Sequence, residues 1–351
     1  MKRAAAFIVG LALLLAAAPC VQGAAAAQPQ AAYEGYIVKV SEQAPMALAA
    51  MDAASRPLGA GFYLVDEPED AGAIADEQFI EYIEPNYVLE AFDVPDGYTP
   101  ETWSLQAVNA EDAWAKGLYG DSVKVALIDS GLRTTHEDLR QEHILPVVNF
   151  TGDGMTVQDA TGHGTVVGGV LAAQAGNAQS PGTPVVDGAA PDVTVLPLRV
   201  FSPVKTGTVA MAVDAINYAV SADCDVINMS FGIYYYSSAL DEACSAAADA
   251  GLLLVAAAGN RGSTEYAYPA ALDSVVSVAA VEQTADGTCT RADFSQYNNQ
   301  VFVTAPGADI ASLSYTGDGA YVSGKEGTSF SAPLVTALAA FAKEQNRALT
   351  Q

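Results

Sequence analysis

The sequence predicts an α/β fold: a mostly parallel central sheet with helices on both faces, preceded by a small α+β unit. Three observations carry this. Apolar runs at 123–128, 194–200, 226–229, 252–257, 275–281 and 301–305 read as strands buried on both faces. Helical stretches at 209–220, 238–250 and 334–343 fall between some of them, and such alternation is the mark of a parallel sheet. Polar residues, Asp129 and Asn260 among them, stand just past the ends of these runs, where open α/β sheets present their working groups.

Taken from the start, the chain opens on Met1-Lys2-Arg3 and an apolar run over 4–18, the charged and hydrophobic regions of a signal peptide. The run is too short for a relaxed membrane span. Small residues at 23–27 offer the cleavage site, so residues 1–27 are read as a leader and the protein as secreted, with no stable membrane anchor. The competing reading is a lipidated Cys20, which Pro19 in front of it opposes. Beyond the leader, Cys224, Cys244 and Cys289 make an odd number, and Cys224 and Cys244 read as small buried hydrophobes. Without Cys-x-x-Cys or clustered histidines, zinc is not expected.

Length and charge set the outer limits. With 351 residues, 51% of them hydrophobic, there is room for one large domain and a smaller one. Against 41 acidic residues stand 15 basic ones, a formal charge of -26. That balance excludes nucleic acid and anionic membranes as natural partners. It suits solubility, a preference for basic substrates, or calcium.

The smaller unit occupies residues 33–92. Its expected elements are a strand at 35–40, a helix at 45–54, a strand at 62–65, a helix at 70–75, then strand, turn and strand over 79–89. Such a unit alone buries too little surface to be very stable, so it needs a partner. Residues 93–102, rich in Pro and acid, read as a linker, and 103–115 as an amphipathic entry into the main domain, 103–351.

Four segments of that domain carry chemistry. Gly327-Thr328-Ser329-Phe330-Ser331-Ala332-Pro333 opens into an Ala-rich helix, which puts Ser329 where unpaired backbone N–H groups stabilise an anion. Alone, Ser329 could simply cap that helix. A nucleophilic serine needs a base and a group to orient the base. His163, in Thr161-Gly162-His163-Gly164-Thr165, has small flanks that let its imidazole stand exposed at the start of a buried helix. Asp129 ends an apolar strand run, and Asn260 follows another, where its amide could donate to a developing oxyanion.

In the order Asp, His, Asn, Ser, these segments resemble the subtilisin-like serine proteases from about Trp103 onward. The resemblance implies a serine endopeptidase that needs no cofactor for its chemistry, with Asp129, His163 and Ser329 as triad and Asn260 in the oxyanion hole. It implies substrate contacts at Ser230-Phe231-Gly232 and Ala258-Gly259, whose small residues leave a slot for large apolar or aromatic side chains. Tyr82-Ile83-Glu84-Pro85-Asn86 resembles the end of the subtilase inhibitory propeptide. That makes residues 33–92 an intramolecular inhibitor, with self-cleavage expected between Phe92 and Asp93 and Leu89 lying three residues upstream. Asp138 matches a family calcium ligand, with the loop 176–186 nearby. Peptide or protein substrates and a monomeric state are implied too. Family members continue past this nucleophile helix, so the C-terminal end reads as truncated, and the alternative function is a non-catalytic, peptide-binding relative.

Overall fold

The computed structural model describes residues 32–75, 77–92, 103–154, 158–177, 186–203 and 207–350. The expected leader, the linker with Asp93, and most of the loop 176–186 therefore lie outside the described residues. The first six elements are β1 (Tyr33–Val40), α1 (Pro45–Ala54), β2 (Arg56–Gly59), β3 (Phe62–Val65), α2 (Pro68–Ile74) and β4 (Ile80–Ala91). Their strands lie in the order β4-β1-β3-β2 with every neighbouring pair antiparallel, the ferredoxin-like β-α-β-β-α-β arrangement. Val38, Val40, Met51, Tyr63 and Ala71 form its own small core. The opposite side chains, Ile37, Leu58 and Phe62, join a cluster made mostly by the main domain.

The strand-turn-strand expected over 79–89 is corrected to one continuous strand, β4. Pro85 misleads because it lacks a ladder donor. It pairs with Tyr36 beside a register shift between Tyr33 and Tyr36, and bulges are where strands tolerate proline. The entry segment 103–115 is likewise two short helices, α3 (Trp103–Ala107) and α4 (Ala110–Trp114), separated by Asn109 with φ +54°.

The main domain then runs β5 (Lys124–Asp129), β6 (Val148–Asn149), α5 (His163–Ala172), β7 (Thr194–Arg199), β8 (Gly207–Thr208), α6 (Val209–Ser221), β9 (Val226–Met229), β10 (Phe231–Gly232) and α7 (Ser238–Asp249). It finishes with β11 (Leu253–Ala257), β12 (Val276–Gln283), β13 (Cys289–Arg291), β14 (Val303–Pro306), β15 (Ile310–Leu313), β16 (Tyr321–Lys325) and α8 (Thr328–Gln345). Seven strands pair in parallel in the order β6-β7-β5-β9-β11-β12-β14, and β13 adds antiparallel to β12. Along β5, Val125 and Leu127 enter one core with α5 and α8 residues, whereas Ala126 and Ile128 enter the other with α6 and α7 residues. Both faces are thus covered, which is why the strand runs are apolar throughout rather than alternating.

Strand order reverses between β5 and β9, and their connections diverge there. That is where an open α/β sheet leaves a crevice at its carboxyl end. Into it comes the last third of β4. Val88 and Leu89 pair with Thr208 and Gly207 of β8, while Ala91 and Glu90 pair with Phe231 and Gly232 of β10, both antiparallel. Cys224 and Cys244 are buried and Cys289 is exposed, all three as free thiols. Among the described residues no helix is long and apolar enough to cross a membrane.

Candidate active site

Asp129 is the last residue of β5 and is fully buried. Its Oδ1 accepts from Ser130 N at 2.6 Å and from His163 Nδ1 at 2.8 Å. A carboxylate bonded to Nδ1 fixes the imidazole tautomer and holds its plane. His163 is the first residue of α5, and only 5% of it is exposed. This corrects the expectation of an exposed ring. The small flanks instead let neighbouring elements close over it, and Phe330 packs at 5.9 Å between ring centroids. Gly164 shows the crowding: a Cβ there would stand 2.0 Å from the Gly131 carbonyl and 3.1 Å from Asp129 Oδ1.

Sequence reasoning missed the residue that holds this loop. Buried Asp159 accepts through Oδ1 from Ser130 Oγ at 2.7 Å and Gly162 N at 2.8 Å. Through Oδ2 it accepts from Thr165 N at 2.8 Å and Thr165 Oγ1 at 2.5 Å. It thereby caps the first turn of α5 and ties it to the end of β5. An acid a few residues before a helix start is the ordinary signal for such a cap, and Asp159-Ala160-Thr161-Gly162 carries it.

Ser329 lies in the first turn of α8, which begins at Thr328 and passes through Pro333. The helix expected from 334 is therefore longer by six residues at its start. Proline inside a helix leaves the carbonyl four residues back without its donor, and that carbonyl belongs to Ser329. Ser230 Oγ donates to it at 2.9 Å and accepts from Asn228 Nδ2 at 3.0 Å, while Asn228 Oδ1 accepts from Thr336 Oγ1 at 2.9 Å. A buried network thus replaces the missing helical bond and fixes the Ser329 turn to the end of β9. The Ser329 hydroxyl donates to the main-chain carbonyl of Ser230 at 2.9 Å.

Asn260 stands beside that turn. Its Oδ1 accepts from Thr328 N at 3.0 Å and Thr328 Oγ1 at 2.8 Å, and Gly259 N donates to Thr328 Oγ1 at 3.1 Å. Its Nδ2 is buried without a hydrogen-bond partner among the described residues. An amide donor held so, beside the N-terminus of a helix, is equipped to receive a developing negative oxygen.

Of the residues expected to line the groove, Phe231 and Gly232 pair with β4, and the Ser230 carbonyl accepts from Phe92 N at 3.4 Å. Phe92, 3% exposed, packs against Tyr234 at 5.8 Å between centroids. A Cβ on Gly232 would come within 2.8 Å of the Phe92 ring, so glycine is what admits an aromatic side chain here. Ala258 is buried nearby in sequence, and a Cβ on Gly259 would meet the Tyr234 hydroxyl at 3.0 Å. The N-terminal unit is tied down at helix ends. Glu84 accepts from Ser237 Oγ at 2.7 Å, Ser238 N at 2.8 Å and Ala239 N at 3.1 Å at the start of α7, and Asn86 Oδ1 accepts from Ala210 N at 2.8 Å at the start of α6.

Asp138 lies apart from these groups. Burial pushes its carboxyl up to about 6, and Asn177 Nδ2 donates to it. Asn177 Oδ1 beside it is buried with no hydrogen-bond partner among the described residues. Among the described residues there is no group of three or more His, Cys, Asp or Glu side chains able to hold a metal.

Comparison with known proteins gives the family and the fold. Residues 120–351 match the profile of the subtilase family, Peptidase_S8. The chain is 34% identical over 279 residues to the thermophilic serine proteinase of Bacillus sp. (strain AK1), covering 78% of this chain and 66% of that protein. It is 33% identical over 277 residues to the major intracellular serine protease of Bacillus subtilis (strain 168), covering 76% of this chain and 80% of that protein. In fold it is similar to the crystal structure of fervidolysin from Fervidobacterium pennivorans, with a TM-score of 0.73 at 22% identity over 92% of this chain and 56% of that one.

Proposed function

The chain belongs to the subtilase family, and from that premise we propose that it is a secreted serine endopeptidase, made as a self-processing zymogen, that cuts after large apolar or aromatic residues. The observation that carries the reading is the buried pair of Asp129 Oδ1 and His163 Nδ1, 2.8 Å apart. With Nδ1 engaged by the carboxylate, Nε2 is the nitrogen that acts as base.

In the mechanism, the Ser329 hydroxyl leaves the Ser230 carbonyl by rotation about its Cα–Cβ bond and gives its proton to His163 as its oxygen attacks the peptide carbonyl. The negative oxygen that forms accepts from Asn260 Nδ2 and the Ser329 backbone N–H. Asp129 stabilises the imidazolium, which then protonates the leaving amine. Water, deprotonated by the same imidazole, releases the acyl group. No cofactor takes part.

Residues 33–92 are the inhibitor in this reading. The end of β4 occupies the groove as an extended peptide would, by strand addition, with Phe92 against Gly232 and Tyr234. Phe92 is then the residue before the cut bond. Intact-mass analysis tests it: wild type is processed after Phe92, and Ser329→Ala stays full length. Processing at another bond refutes the position; processing of Ser329→Ala refutes self-cleavage.

Three finer proposals travel with this one. Export is supported by the leader pattern at 1–27, and N-terminal sequencing of secreted protein beginning near Ala24 or Gln28 tests it. A structural calcium is supported by Asn177 Oδ1, which lies beside Asp138 and is buried with no hydrogen-bond partner among the described residues. Two side-chain oxygens are fewer than calcium takes, so the remainder would come from backbone and water, and loss of thermal stability on chelation tests it. The working state is a monomer, which sedimentation tests. The Ser329 hydroxyl resting on Ser230 favours one other reading, a peptide-binding relative with no reactive serine, and covalent labelling separates the two.

A further inference from the structure

Glu90 and Phe92 are two apart on an extended strand, so their side chains share one face of the groove. Phe92 turns down against Tyr234. Above the same ring lies Arg261, its guanidinium carbon 3.4 Å from the ring centroid. Tyr234 is thus shared, with the Phe92 ring and the Arg261 guanidinium both packed on it. One end of the guanidinium, Nη1, donates to Glu265 at 3.1 Å, and the other, Nη2, donates to Glu90 at 3.2 Å.

We propose that Arg261 is a specificity-determining residue that forms a subsite for an acidic side chain at the third position before the cut bond. This rests on the peptidase reading and goes beyond it, to the class of substrate. Stacking on Tyr234 and the bond to Glu265 fix the plane of the guanidinium, so one edge is presented to the substrate without ordering a flexible side chain at the moment of binding. Release of the N-terminal segment withdraws Glu90 and opens that edge to an incoming peptide.

Whole-molecule charge argues the other way. The full chain carries a formal charge of -26 and the part left after release of residues 1–92 is still acidic, so the long-range field disfavours acidic peptides. That field is screened beyond about 8 Å at physiological ionic strength, whereas Glu90 touches Arg261 directly. The local contact therefore decides the preference at this position, and the field sets only the overall rate of encounter.

An exposed ion pair held in good geometry is worth roughly a three- to five-fold ratio, and reversing the charge adds repulsion. The test is a set of peptides with Leu-x-Ala-Phe before the cut bond and x as Glu, Gln, Ala or Lys, read as kcat/KM relative to x as Ala on the same processed enzyme. Expected is Glu over Gln by about three- to five-fold and Glu over Lys by about ten-fold or more at low salt, with both ratios shrinking at 0.5 M salt. Arg261→Gln should flatten the ratios, and Arg261→Glu should invert them in favour of Lys. Equal cleavage of all four peptides by wild type overturns the subsite while leaving the peptidase standing. Cleavage of none overturns both.

Discussion

The side-chain carbonyl of Asn260 accepts two hydrogen bonds from Thr328, the residue immediately before Ser329, at 3.0 Å from its N–H and 2.8 Å from its hydroxyl. Position and chemistry are thereby joined: the turn that carries Ser329, the proposed nucleophile, also holds the amide that would receive the oxyanion. Removing the amide in Asn260→Ala should lower kcat about 100- to 1000-fold with little change in KM, the loss measured for one such donor in subtilisin, a member of the same family. Thr328→Val removes one of the two bonds that orient it, together with the acceptor for Gly259 N, and should cost about ten-fold in kcat. Steady-state kinetics on one peptide separates the outcomes. A Thr328→Val effect confined to KM would contradict positioning.

Glu84 satisfies three donors at the start of α7 from the far side of an interface. A charge-assisted cap of this kind contributes about 1–2 kcal/mol. In the full-length Ser329→Ala protein, Glu84→Ala should lower hydrogen-exchange protection of β1 and β4 amides about ten-fold. Exposed Glu81 on the same strand is the control, and its replacement by Ala should change little. Equal effects from both would show that charge, rather than the cap, matters.

Arg56 and Asp214 give the interface a pH dependence. Burial pushes the Asp214 carboxyl up to about 6, and Arg56 Nη2, 2.5 Å from Oδ2, opposes that rise. A carboxyl whose folded value lies above its ordinary 3.8 binds more protons in the folded, docked state than in the open one. Its contribution to docking is therefore greatest at low pH and is lost as pH rises toward and through about 6. Above that point the buried carboxylate depends on Arg56. Arg56→Ala in the Ser329→Ala background should accordingly loosen the N-terminal unit more at pH 7.5 than at pH 5.0, as read by exchange protection. A larger effect at pH 5.0 would contradict the assignment.

The strand runs, the alternation of helices and the positions of four polar residues were legible because each is local: Asp129 and Asn260 follow where an apolar strand stops, and His163 and Ser329 stand where a small-residue helix begins. What stayed hidden depends on residues far apart in the chain. Asp159 was readable as a cap but not as the tie between β5 and α5. Pro333 looked like a helix boundary because nothing local shows that Ser230, about a hundred residues earlier, supplies the donor that the Ser329 carbonyl lacks. Pro85 broke one expected strand into two for the same reason, since its tolerance depends on the bulge in β1 opposite. Arg261 and Tyr234 gave no signal, their roles arising only when the end of β4 is laid across them. The small flanks of His163 suggested exposure, yet small residues also let neighbours close in, and burial is the outcome.

The most direct test of the central claim is labelling with a fluorophosphonate, which reacts with a serine only when a base has activated it. Processed wild-type protein should take up one label per chain on the peptide containing Ser329, and His163→Ala should abolish it, as should Ser329→Ala. Absence of label on the processed wild type, or undiminished labelling of His163→Ala, would contradict the claim that Asp129, His163 and Ser329 act as one unit.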